Sequence, residues 1–558
     1  MAVSRRTFIG AAAGGTAAAA LTTLGTTATA SAAPAAAAAS GPGDVVGKIT
    51  VGYQGWFACV GDGSPINSWW HWSQNGGQAP SPSNTTIVAW PDVREYTRTY
   101  QTGYAALGNG QPATLFSSYD QQTVDTQFLW MQQNSIDTAA LQRFNPTGGE
   151  GPNRDAMAGK VRSAAESHGR KFYIMYDVSD WTTMQSDIKA DWTNKMKAHT
   201  ASPAYAKQNG KPVVCIWGFG FADNQRPFTA AACLDVLNWF KAQGCYVIGG
   251  VPTWWRTGDR DSRAGFSDVY HAFDMLSPWL VGRIGNVADA DNFYNQATVP
   301  DMAECAAHGI DYQPCVLPGS VTGRQRAHGD FMWRQFYNMC RAGVQGIYIS
   351  MFDEYNEGNQ IAKTAESQAF VPTNSGFLAL DEDGTACSSD YYLRLTGDGG
   401  RMLKGQIALT ATRPTQPTVG TSPGGGTGTV VSLRARANGN YVTAENGGAS
   451  PLIANRTSIG PWEQFDLLDQ GGGNVALRAH ANSQIVCADN AGASPLIANR
   501  TSAGLWETFQ LVHNSNGTVS LKAQVNGLYV TAENGGAAAL VANRTAIGGW
   551  EQFDLVTG

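Results

Sequence analysis

The sequence has few charged residues and no excess of basic ones. Among its 558 residues, Lys and Arg number 38 and Asp and Glu number 44, so charged residues make up 15% and the formal net charge is −6. Proteins that bind nucleic acid through its phosphates normally carry a basic stripe, which argues against a nucleic-acid partner here. A hydrophobic fraction of 43% excludes a largely disordered chain. At this length, two or more domains are expected.

Motifs for metals, phosphates and membranes are also missing. The nine cysteines are widely spaced and contain no CxxC pair, so a zinc site is not expected. Outside the cell some of them are expected to form disulfides, and the odd count leaves at least one unpaired. The first apolar run leads into GYQGWFACVGDGS, which contains neither GxGxxG nor a Walker-type phosphate loop. No segment after the N-terminal region approaches the ~20 apolar residues of a membrane span. We therefore expect no cofactor, no metal and no membrane partner.

The N-terminal segment has the features of an export signal. Arg5 and Arg6 form a twin-arginine pattern, a mildly apolar stretch runs from Ile9 to Leu24, and small residues follow it. An Ala-rich tail without a targeting role is the alternative. We predict that residues 1–40 are a twin-arginine signal peptide and that the mature protein is secreted.

A segment of low complexity precedes a region of internal repeats. Residues 412–429 are rich in Pro, Gly, Thr and Ser, which predicts a flexible linker. Beyond it, corresponding residues recur every 44 positions, as Leu433, Leu477 and Leu521 do. Each repeat holds short alternating strands and is too small to bury its apolar face alone, so three repeats should pack around one axis. Three four-stranded units form a β-trefoil, and these motifs resemble its fascin-like branch. We predict an all-β β-trefoil domain over residues 430–558.

Each repeat also contains a Trp–Glu pair, at Trp462, Trp506 and Trp550. Its fixed place beside Gln–Phe or Thr–Phe predicts core tryptophans, with sugar stacking as the alternative. Cys487 occupies the position of Thr443 and Thr531, which indicates a packing role and not a reactive thiol. A trefoil that follows a linker is expected to attach the protein to carbohydrate, and three equivalent pockets would raise the avidity for a polymer. A spacer or adhesion module is the alternative.

Between residues 45 and 411, short apolar runs alternate with amphipathic stretches. In the stretch DFMWRQFYNMCRAG, Phe331, Phe336 and Met339 share an apolar face, and Gly343 is expected to end the helix. The pattern fits an α/β fold of the (β/α)8 TIM-barrel class with insertions, whereas an open doubly wound sheet would want a phosphate loop. The eight runs are ITVGYQGWF, AALQRF, KFYIMYDVSD, PVVCIWGFGF, CYVIGGVPTWW, PWLVGRIGN, DYQPCVLPG and GIYISMFDEY.

Polar and aromatic residues follow these runs, at the strand ends where a barrel carries its active site. Acids and aromatic rings collected on one rim indicate a cleft for a polar, ring-shaped ligand such as a sugar. Tyr176, Asp177 and Trp217 could each instead close a hydrogen-bonded core. The predicted substrate-binding residues are His71, Trp72, Tyr176, Asp177, Trp217, Trp254, Arg283 and Tyr355.

The last run ends in three carboxylates, Asp353, Glu354 and Glu357. Strand alternation predicts that Met351 and Asp353 point outward, whereas Phe352 and Glu354 point into the barrel. A turn at Asn356 and Gly358 would bring Glu357 beside Glu354, with Cβ atoms ~5–6 Å apart as on a helix.

Two carboxyls at that separation disfavour simultaneous ionisation. An acid that protonates the leaving oxygen beside a base or nucleophile is what glycoside cleavage requires. A Ca²⁺ site and a solvated acidic loop are the alternatives.

The segment Glu354-Tyr355-Asn356-Glu357-Gly358 resembles the E-x-x-E-G signature of glycoside hydrolase family 99, the endo-α-mannosidase family, and is similar to the α-1,3-glucanase family 71. GWF, LQRF and YDVSD fit the same pattern. The resemblance implies an endo-acting, retaining glycosidase in which Glu354 acts as base on the sugar 2-hydroxyl and Glu357 as acid.

The family signature has Trp-Asn-Glu-Trp before its second acid, whereas this chain has Met351-Phe352-Asp353-Glu354-Tyr355. The donor sugar therefore stays open between mannan-like and α-glucan chains. A double displacement with Glu354 as nucleophile and a non-catalytic carbohydrate-binding protein are the alternatives. The expected partner is a polysaccharide or glycan, and the expected state is a monomer.

Overall fold

The structure is a computed structural model that describes residues 40–418, 429–471, 474–482, 484–500 and 503–557. The predicted signal peptide therefore lies outside the described residues, apart from Ser40, as does the second half of the predicted linker. The chain divides into two compact units, the first ending at Pro417 and the second starting at Thr418. Among the helices of these described ranges, none has the length and apolar character needed to cross a membrane.

A curled parallel sheet forms the centre of the first unit and makes it a TIM-barrel-like domain. Its strands pair in the order β10-β9-β8-β7-β5-β4-β1-β12-β11, and β6 and the hairpin β2–β3 lie outside this path. The twelve strands of the first unit are β1 (Ile49–Tyr53), β2 (Tyr100–Gln101), β3 (Thr114–Leu115), β4 (Thr138–Arg143), β5 (Lys171–Asp177), β6 (Lys207–Gln208), β7 (Lys211–Trp217), β8 (Tyr246–Val251), β9 (Met275–Pro278), β10 (Asp311–Tyr312), β11 (Cys315–Val316) and β12 (Ile347–Ile349).

The seventh predicted run is divided into two short strands. β10 pairs with β9 and β11 pairs with β12, and only Gln313 and Pro314 separate them. The main-chain N–H of Gln313 donates to Leu276 O at 2.8 Å, and Pro314 O accepts from Tyr348 N at 3.0 Å. The run therefore connects the two ends of the sheet.

Helices follow most of the parallel strands. The α8 stretch buries Phe331, Phe336 and Met339, as predicted, and ends at Gly343, whose φ of 78° is the left-handed conformation that glycine adopts readily. The nine α-helices among the described residues are α1 (Gln121–Gln133), α2 (Gly151–Ser167), α3 (Met184–Asn194), α4 (Ala230–Ala242), α5 (Ser267–His271), α6 (Val287–Phe293), α7 (Val299–Ala307), α8 (Asp330–Ala342) and α9 (Tyr391–Leu403).

The second unit is a separate all-β antiparallel domain. Six of its strands pair in a closed ring, in the order β13, β16, β17, β20, β21, β24 and back to β13. Three hairpins, β14–β15, β18–β19 and β22–β23, complete it. The strands are β13 (Thr429–Ala435), β14 (Tyr441–Ala444), β15 (Leu452–Arg456), β16 (Phe465–Gly471), β17 (Asn474–Ala479), β18 (Ile485–Ala488), β19 (Leu496–Arg500), β20 (Phe509–His513), β21 (Val519–Ala523), β22 (Tyr529–Ala532), β23 (Leu540–Arg544) and β24 (Phe553–Thr557).

Each repeat of this domain contacts the next through a glycine and an asparagine. The position that a Cβ would take on Gly448 lies 2.2 Å from Asn482 Nδ2, so only glycine fits there. Gly492 faces Asn526 at 2.1 Å, and Gly536 faces Asn438, in the first repeat, at 2.2 Å. The three contacts therefore form a cycle.

The structure corrects the prediction for the tryptophans of the repeats. Trp462, Trp506 and Trp550 are 40%, 37% and 41% exposed. The buried member of each Trp–Glu pair is the glutamate: Glu463 Oε2 accepts from Gly460 N at 2.7 Å, and Thr443 Oγ1 donates to Glu463 Oε1 at 3.0 Å.

The cysteines are all free thiols. All nine belong to the described residues, and eight are buried, so the expected disulfides are not formed. Cys487 takes the register position of Thr443 and Thr531. Burial raises the pKa of its thiol, and the neighbouring carboxylate of Glu507 raises it further. It packs in the core, as predicted.

Candidate active site

Glu354 lies at the carboxyl end of the last barrel strand and is 1% exposed. Its Oε2 accepts a hydrogen bond from Gln54 Nε2 at 2.6 Å. Gln54 directly follows β1, which pairs in parallel with β12, so the two side chains extend from adjacent strand ends. A donor this close to a buried carboxyl stabilises its ionised form.

A single helical turn follows Glu354. Gly358 N donates to Glu354 O at 3.1 Å, an i+4 to i bond, and Gly358 adopts a φ of 74°. Glu357 lies within this turn and is half-buried. The bend that the sequence predicted between the two glutamates is therefore present, and it carries Glu357 toward solvent while Glu354 stays enclosed.

The turn is fixed by buried Arg326. Its Nη2 donates to Gly358 O at 3.0 Å and to Gln360 O at 2.7 Å, and its Nε donates to Gly319 O at 3.0 Å. Its guanidinium also stacks on the Tyr392 ring at 4.2 Å. One buried cation thus joins the segment after Glu357 to the preceding strand–helix connection.

Asp353 joins the ends of β1 and β12. Its two carboxyl oxygens accept from Gln54 N and Gly55 N, both at 2.8 Å. Burial raises the pKa of Asp353 to about 6, against the lowering effect of the two amides. Asp353 is thus a structural residue that holds Gln54 in place beneath Glu354.

The alternation predicted for this strand ends early. Met351 Sδ lies 3.4 Å from Tyr348 Oη, and both atoms occupy the space left by Gly52 on the inner face of β1. Phe352 instead packs against Tyr53, whose hydroxyl donates to Gln127 of α1. The predicted faces of Met351 and Phe352 are therefore wrong, because β12 ends at Ile349 and regular alternation ends with it.

His71 is brought to the same end of the barrel. Asn356, in the turn between the two glutamates, donates through Nδ2 to His71 O at 2.8 Å. The imidazole stacks on Trp56 with ring centroids 3.8 Å apart. Burial lowers the pKa of His71 to about 3, although Glu150, whose Oε2 is 4.0 Å from His71 Nε2, opposes the shift. The imidazole is therefore neutral at ordinary pH.

A polar and aromatic pocket adjoins His71. Arg154 donates to Gln54 O at 2.7 Å and to Glu150 Oε2 at 2.9 Å, so it connects the pocket to the strand end beside Glu354. The pocket is lined by Gly55, Trp56, Phe57, Trp70, Tyr119, Glu150, Asn153, Arg154 and Met157.

Asp177 and Trp217 face each other at the ends of adjacent strands. They are register partners on β5 and β7. Trp217 lines a narrow cavity in the barrel interior, together with Tyr173, Met175 and Tyr348. Since Tyr173 and Met175 point inward, strand alternation directs Asp177 inward as well.

Trp254 and Arg283 meet at another part of the rim. Both contact Asp261: Trp254 N donates to its Oδ1 at 3.1 Å, and Arg283 Nη2 donates to its Oδ2 at 2.8 Å. The Trp254 ring is covered by Arg260, 3.8 Å from its centroid. Asp261 was not singled out from the sequence, since it lies in a loop without periodicity.

Four of the predicted site residues lie in the hydrophobic core: Trp217, which is 4% exposed, and three others. Tyr176 is fully buried on the helix-facing side of β5 and donates to Asp191 at 2.8 Å, because it alternates with Met175. Trp72 stacks on Phe57 and donates to Phe116 O at 3.0 Å. Tyr355 is buried and donates to Lys363 O at 2.9 Å. The side chains of Tyr176, Trp72 and Tyr355 therefore hold neighbouring segments together.

Gln54 and Arg154 are the main site residues that sequence reasoning missed. A signal for Gln54 existed, because Thr50, Gly52 and Gln54 continue the inward alternation of β1 past its end. No comparable signal existed for Arg154, which contacts the site only through the packing of α2.

No protein-family model matches the chain, and no curated protein sequence matches it. Two solved structures of the GH99 endo-α-mannosidase from Bacteroides thetaiotaomicron align with this chain, one of them in complex with bis-tris-propane. The identities are 15% and 14%, the TM-score is 0.45 for both, and each alignment covers 65% of this chain and 98% of that chain. The designed threefold-symmetric protein ThreeFoil aligns at 26% identity, with a TM-score of 0.22, over 23% of this chain and 97% of that chain. An exo-β-1,3-galactanase from Clostridium thermocellum aligns at 14% identity and the same TM-score, over 23% of this chain and 30% of that chain. At these TM-scores we draw nothing about activity from the likenesses.

Proposed function

We propose that this protein is a secreted glycoside hydrolase that cleaves α-linked polysaccharide or glycan, mannan-like or α-glucan, through Glu354 and Glu357. The observation that carries the proposal is an enclosed carboxyl, hydrogen-bonded to Gln54 at 2.6 Å, followed in the next helical turn of the chain by a second, half-buried carboxyl. Both lie at the strand ends where barrel enzymes hold their active sites.

The two environments suit different roles. The Gln54 amide stabilises an ionised Glu354, which is the state needed for a base or nucleophile. Glu357 is more accessible, so it can exchange a proton with water and with a leaving group. The neutral imidazole of His71 and the carboxyl group of Asp177 lie around the same strand ends and offer hydrogen-bonding groups to a sugar.

The proposed reaction has two steps. Glu354 takes the proton of the 2-hydroxyl, O2 bonds to C1, and the bond from C1 to the leaving oxygen breaks as Glu357 gives that oxygen its proton. Glu357 then takes a proton from water, the water oxygen bonds to C1, the O2–C1 bond breaks, and Glu354 returns its proton to O2. Two inversions at C1 give retention.

Substitution of the acid tests the activity. Purified protein is assayed for new reducing ends on α-mannans, α-glucans and mixed cell-wall polysaccharides, beside Glu357→Gln and a control, Glu366→Gln, which alters an ion-paired glutamate away from the turn. We expect Glu357→Gln to lose hydrolysis while it still binds the polymer, and Glu366→Gln to retain activity. Binding without any new reducing ends from the parent protein would favour a non-catalytic carbohydrate-binding function.

A 2-deoxy-2-fluoro glycoside with a good leaving group tests the route. Without a 2-hydroxyl, the anhydro step has no nucleophile, so the enzyme should neither turn over the compound nor become labelled. A covalent sugar adduct on Glu354, detected by mass spectrometry, would support a double displacement instead.

We also propose that the second unit is a β-trefoil that binds carbohydrate. The closed ring of six strands, the three hairpins and the cyclic contacts between repeats support this fold. The three exposed tryptophans, at equivalent positions, support the binding role, because exposed aromatic rings are suited to stacking on sugars.

Polar groups accompany these rings. Ala444 N donates to Trp462 O at 2.9 Å, and the Trp462 ring lies near Gly447, two residues after Glu445. Glu445 Oε1 in turn accepts from Asn455 Nδ2 and from Arg456 Nη2, both at 2.7 Å. Glu533, Asn543 and Arg544 repeat this group beside Trp550.

Alanine substitutions test the binding role. The triple variant of Trp462, Trp506 and Trp550 should no longer co-sediment with the polysaccharide that the parent binds. Each single variant should retain part of the binding, since three sites act together. Leu409→Ala, an exposed apolar residue of the first unit, is the control. Full retention by the triple variant would refute the role of the tryptophans.

A further inference from the structure

A group of metal-ligating side chains lies on two helices, separate from the site described above. His271 ends the short helix α5, Glu304 belongs to α7, and His308 follows the end of α7. Glu304 Oε1 is 3.0 Å from His271 Nε2 and 3.3 Å from His308 Nε2. The three prospective ligand atoms all lie within 4.8 Å of one another.

These distances are close to those of a zinc site. Zinc bound tetrahedrally at roughly 2.0–2.1 Å by nitrogen and oxygen ligands places neighbouring ligand atoms roughly 3.3 Å apart. The two measured separations, 3.0 and 3.3 Å, are near that value. A metal could therefore bind with little movement of the helices.

The two histidines also approach one carboxyl oxygen of Glu304. Glu304 and His308 are four positions apart and so occupy one face of the helix. The imidazoles of His271 and His308 stack with centroids 3.6 Å apart, so both present Nε2 to the same carboxyl oxygen. Ser267 Oγ lies 3.5 Å from His271 Nδ1, on the opposite side of that ring. A partner on the far nitrogen is the usual way in which a ligating histidine is oriented.

Exposure leaves room for binding. The side chains of His271, His308 and Glu304 are 21%, 42% and 34% exposed. The rings can rotate until their nitrogen lone pairs converge on one point, and water can fill a fourth position.

We propose that His271, Glu304 and His308 form a surface site for zinc or a similar divalent transition-metal ion, which joins α5 to α7. Imidazole nitrogen beside a carboxylate suits zinc, nickel and cobalt, whereas calcium and magnesium prefer oxygen ligands alone. The joined helices bracket Trp255, whose Nε1 donates to Asp301 of α7 at 3.0 Å and whose ring lies 6.3 Å from His271. The ion would therefore stabilise the loop that carries Trp254.

Metal titration of the full chain tests the site. The protein, prepared without a histidine tag and stripped with chelator, is titrated with Co²⁺ as a spectroscopic probe and with Zn²⁺ in a calorimeter. We expect one ion per chain, visible ligand-field bands with Co²⁺, and an affinity that falls as pH is lowered, since protons compete for the ligands. Ca²⁺ and Mg²⁺ should produce no signal.

Variants assign the ion to these residues. His271→Ala with His308→Ala should abolish the Co²⁺ bands, and Glu304→Gln, which keeps the side-chain shape, should weaken Zn²⁺ binding at least tenfold. His513→Ala in the second unit should bind as the parent does. Zn²⁺ should raise the Tm of the first unit in the parent but not in Glu304→Gln, which tests the site even if the double variant folds poorly. Equal binding by the parent and Glu304→Gln, or none by the parent, would overturn the proposal.

Discussion

Replacement of Gln54 by leucine removes the hydrogen bond to Glu354 and little else. The side chain keeps a similar size, and the main-chain bond from Gln54 N to Asp353 is retained. Because Glu354 is 1% exposed, water has little room to replace the lost donor.

The size of the effect follows from the kind of bond. A hydrogen bond to a charged group contributes about 1.5–3 kcal/mol, and a difference of about 1.4 kcal/mol is a tenfold change in rate. On the acid limb of the kcat/KM profile the rate follows the ionised fraction of Glu354, so Gln54→Leu should lower kcat/KM there by about 10- to 150-fold. Without this donor the ionised carboxylate is less favoured, so the acid limb of the kcat/KM profile should move to higher pH.

Steady-state rates of polysaccharide cleavage over a range of pH give both quantities. Gln208→Leu is the matched control, since Gln208 is 1% exposed and accepts from Val46 N at 3.2 Å on β6, away from the strand ends of the site. It should lose stability without a change in the pH profile. If folded Gln54→Leu kept kcat/KM within about twofold of the parent, the assignment of Glu354 as the reacting carboxylate would be refuted.

Three further predictions concern stability. Arg326→Met leaves the buried carbonyl groups of Gly319 and Gln360 without their donor and should lower the free energy of unfolding by about 3 kcal/mol, measured by urea denaturation. The side chain of Arg324 is 61% exposed, so Arg324→Met should change this free energy little, and equal effects of the two variants would contradict the role of Arg326. Burial lowers the pKa of His71 from its ordinary value of 6.5 to about 3 in the folded state. The unfolded chain therefore binds an extra proton below pH 6.5, and the free energy of unfolding falls as the pH drops from 6.5 toward 3. His71→Gln should lose less stability between pH 7 and 5 than the parent, and an identical loss would refute a buried, neutral imidazole. Cys487→Thr should stabilise the second unit by about 1 kcal/mol, because threonine at the equivalent position donates to Glu551, and a lower Tm would contradict this reading.

The sequence indicated the two kinds of domain because each rests on a local period. Apolar runs separated by amphipathic stretches gave the TIM-barrel-like unit, and the 44-residue recurrence gave the antiparallel one. The face of the sheet on which a given side chain lies depends on the exact strand register. Tyr176 and Asp177 are neighbours, but strand alternation points Tyr176 toward the helices and Asp177 into the barrel. An error of one position in the strand register therefore places a side chain on the wrong face of the sheet.

Contacts between distant segments could not be predicted. Gln54 and Glu354 are 300 positions apart, and their bond depends on the closure of the sheet between β1 and β12. The tryptophans of the repeats misled for another reason: their fixed spacing is equally compatible with a core position and with a surface position, and only the burial of the adjoining glutamate decides between them.

The glycine–asparagine contacts of the second unit have a consequence for its assembly. Because Gly448 meets Asn482, Gly492 meets Asn526 and Gly536 meets Asn438, the cycle has neither a first nor a last member. A stack of repeats with free ends could shed or add a unit, whereas loss of any repeat here would break two junctions at once. The cycle therefore closes only with three repeats. We expect the domain to fold and unfold in one cooperative step.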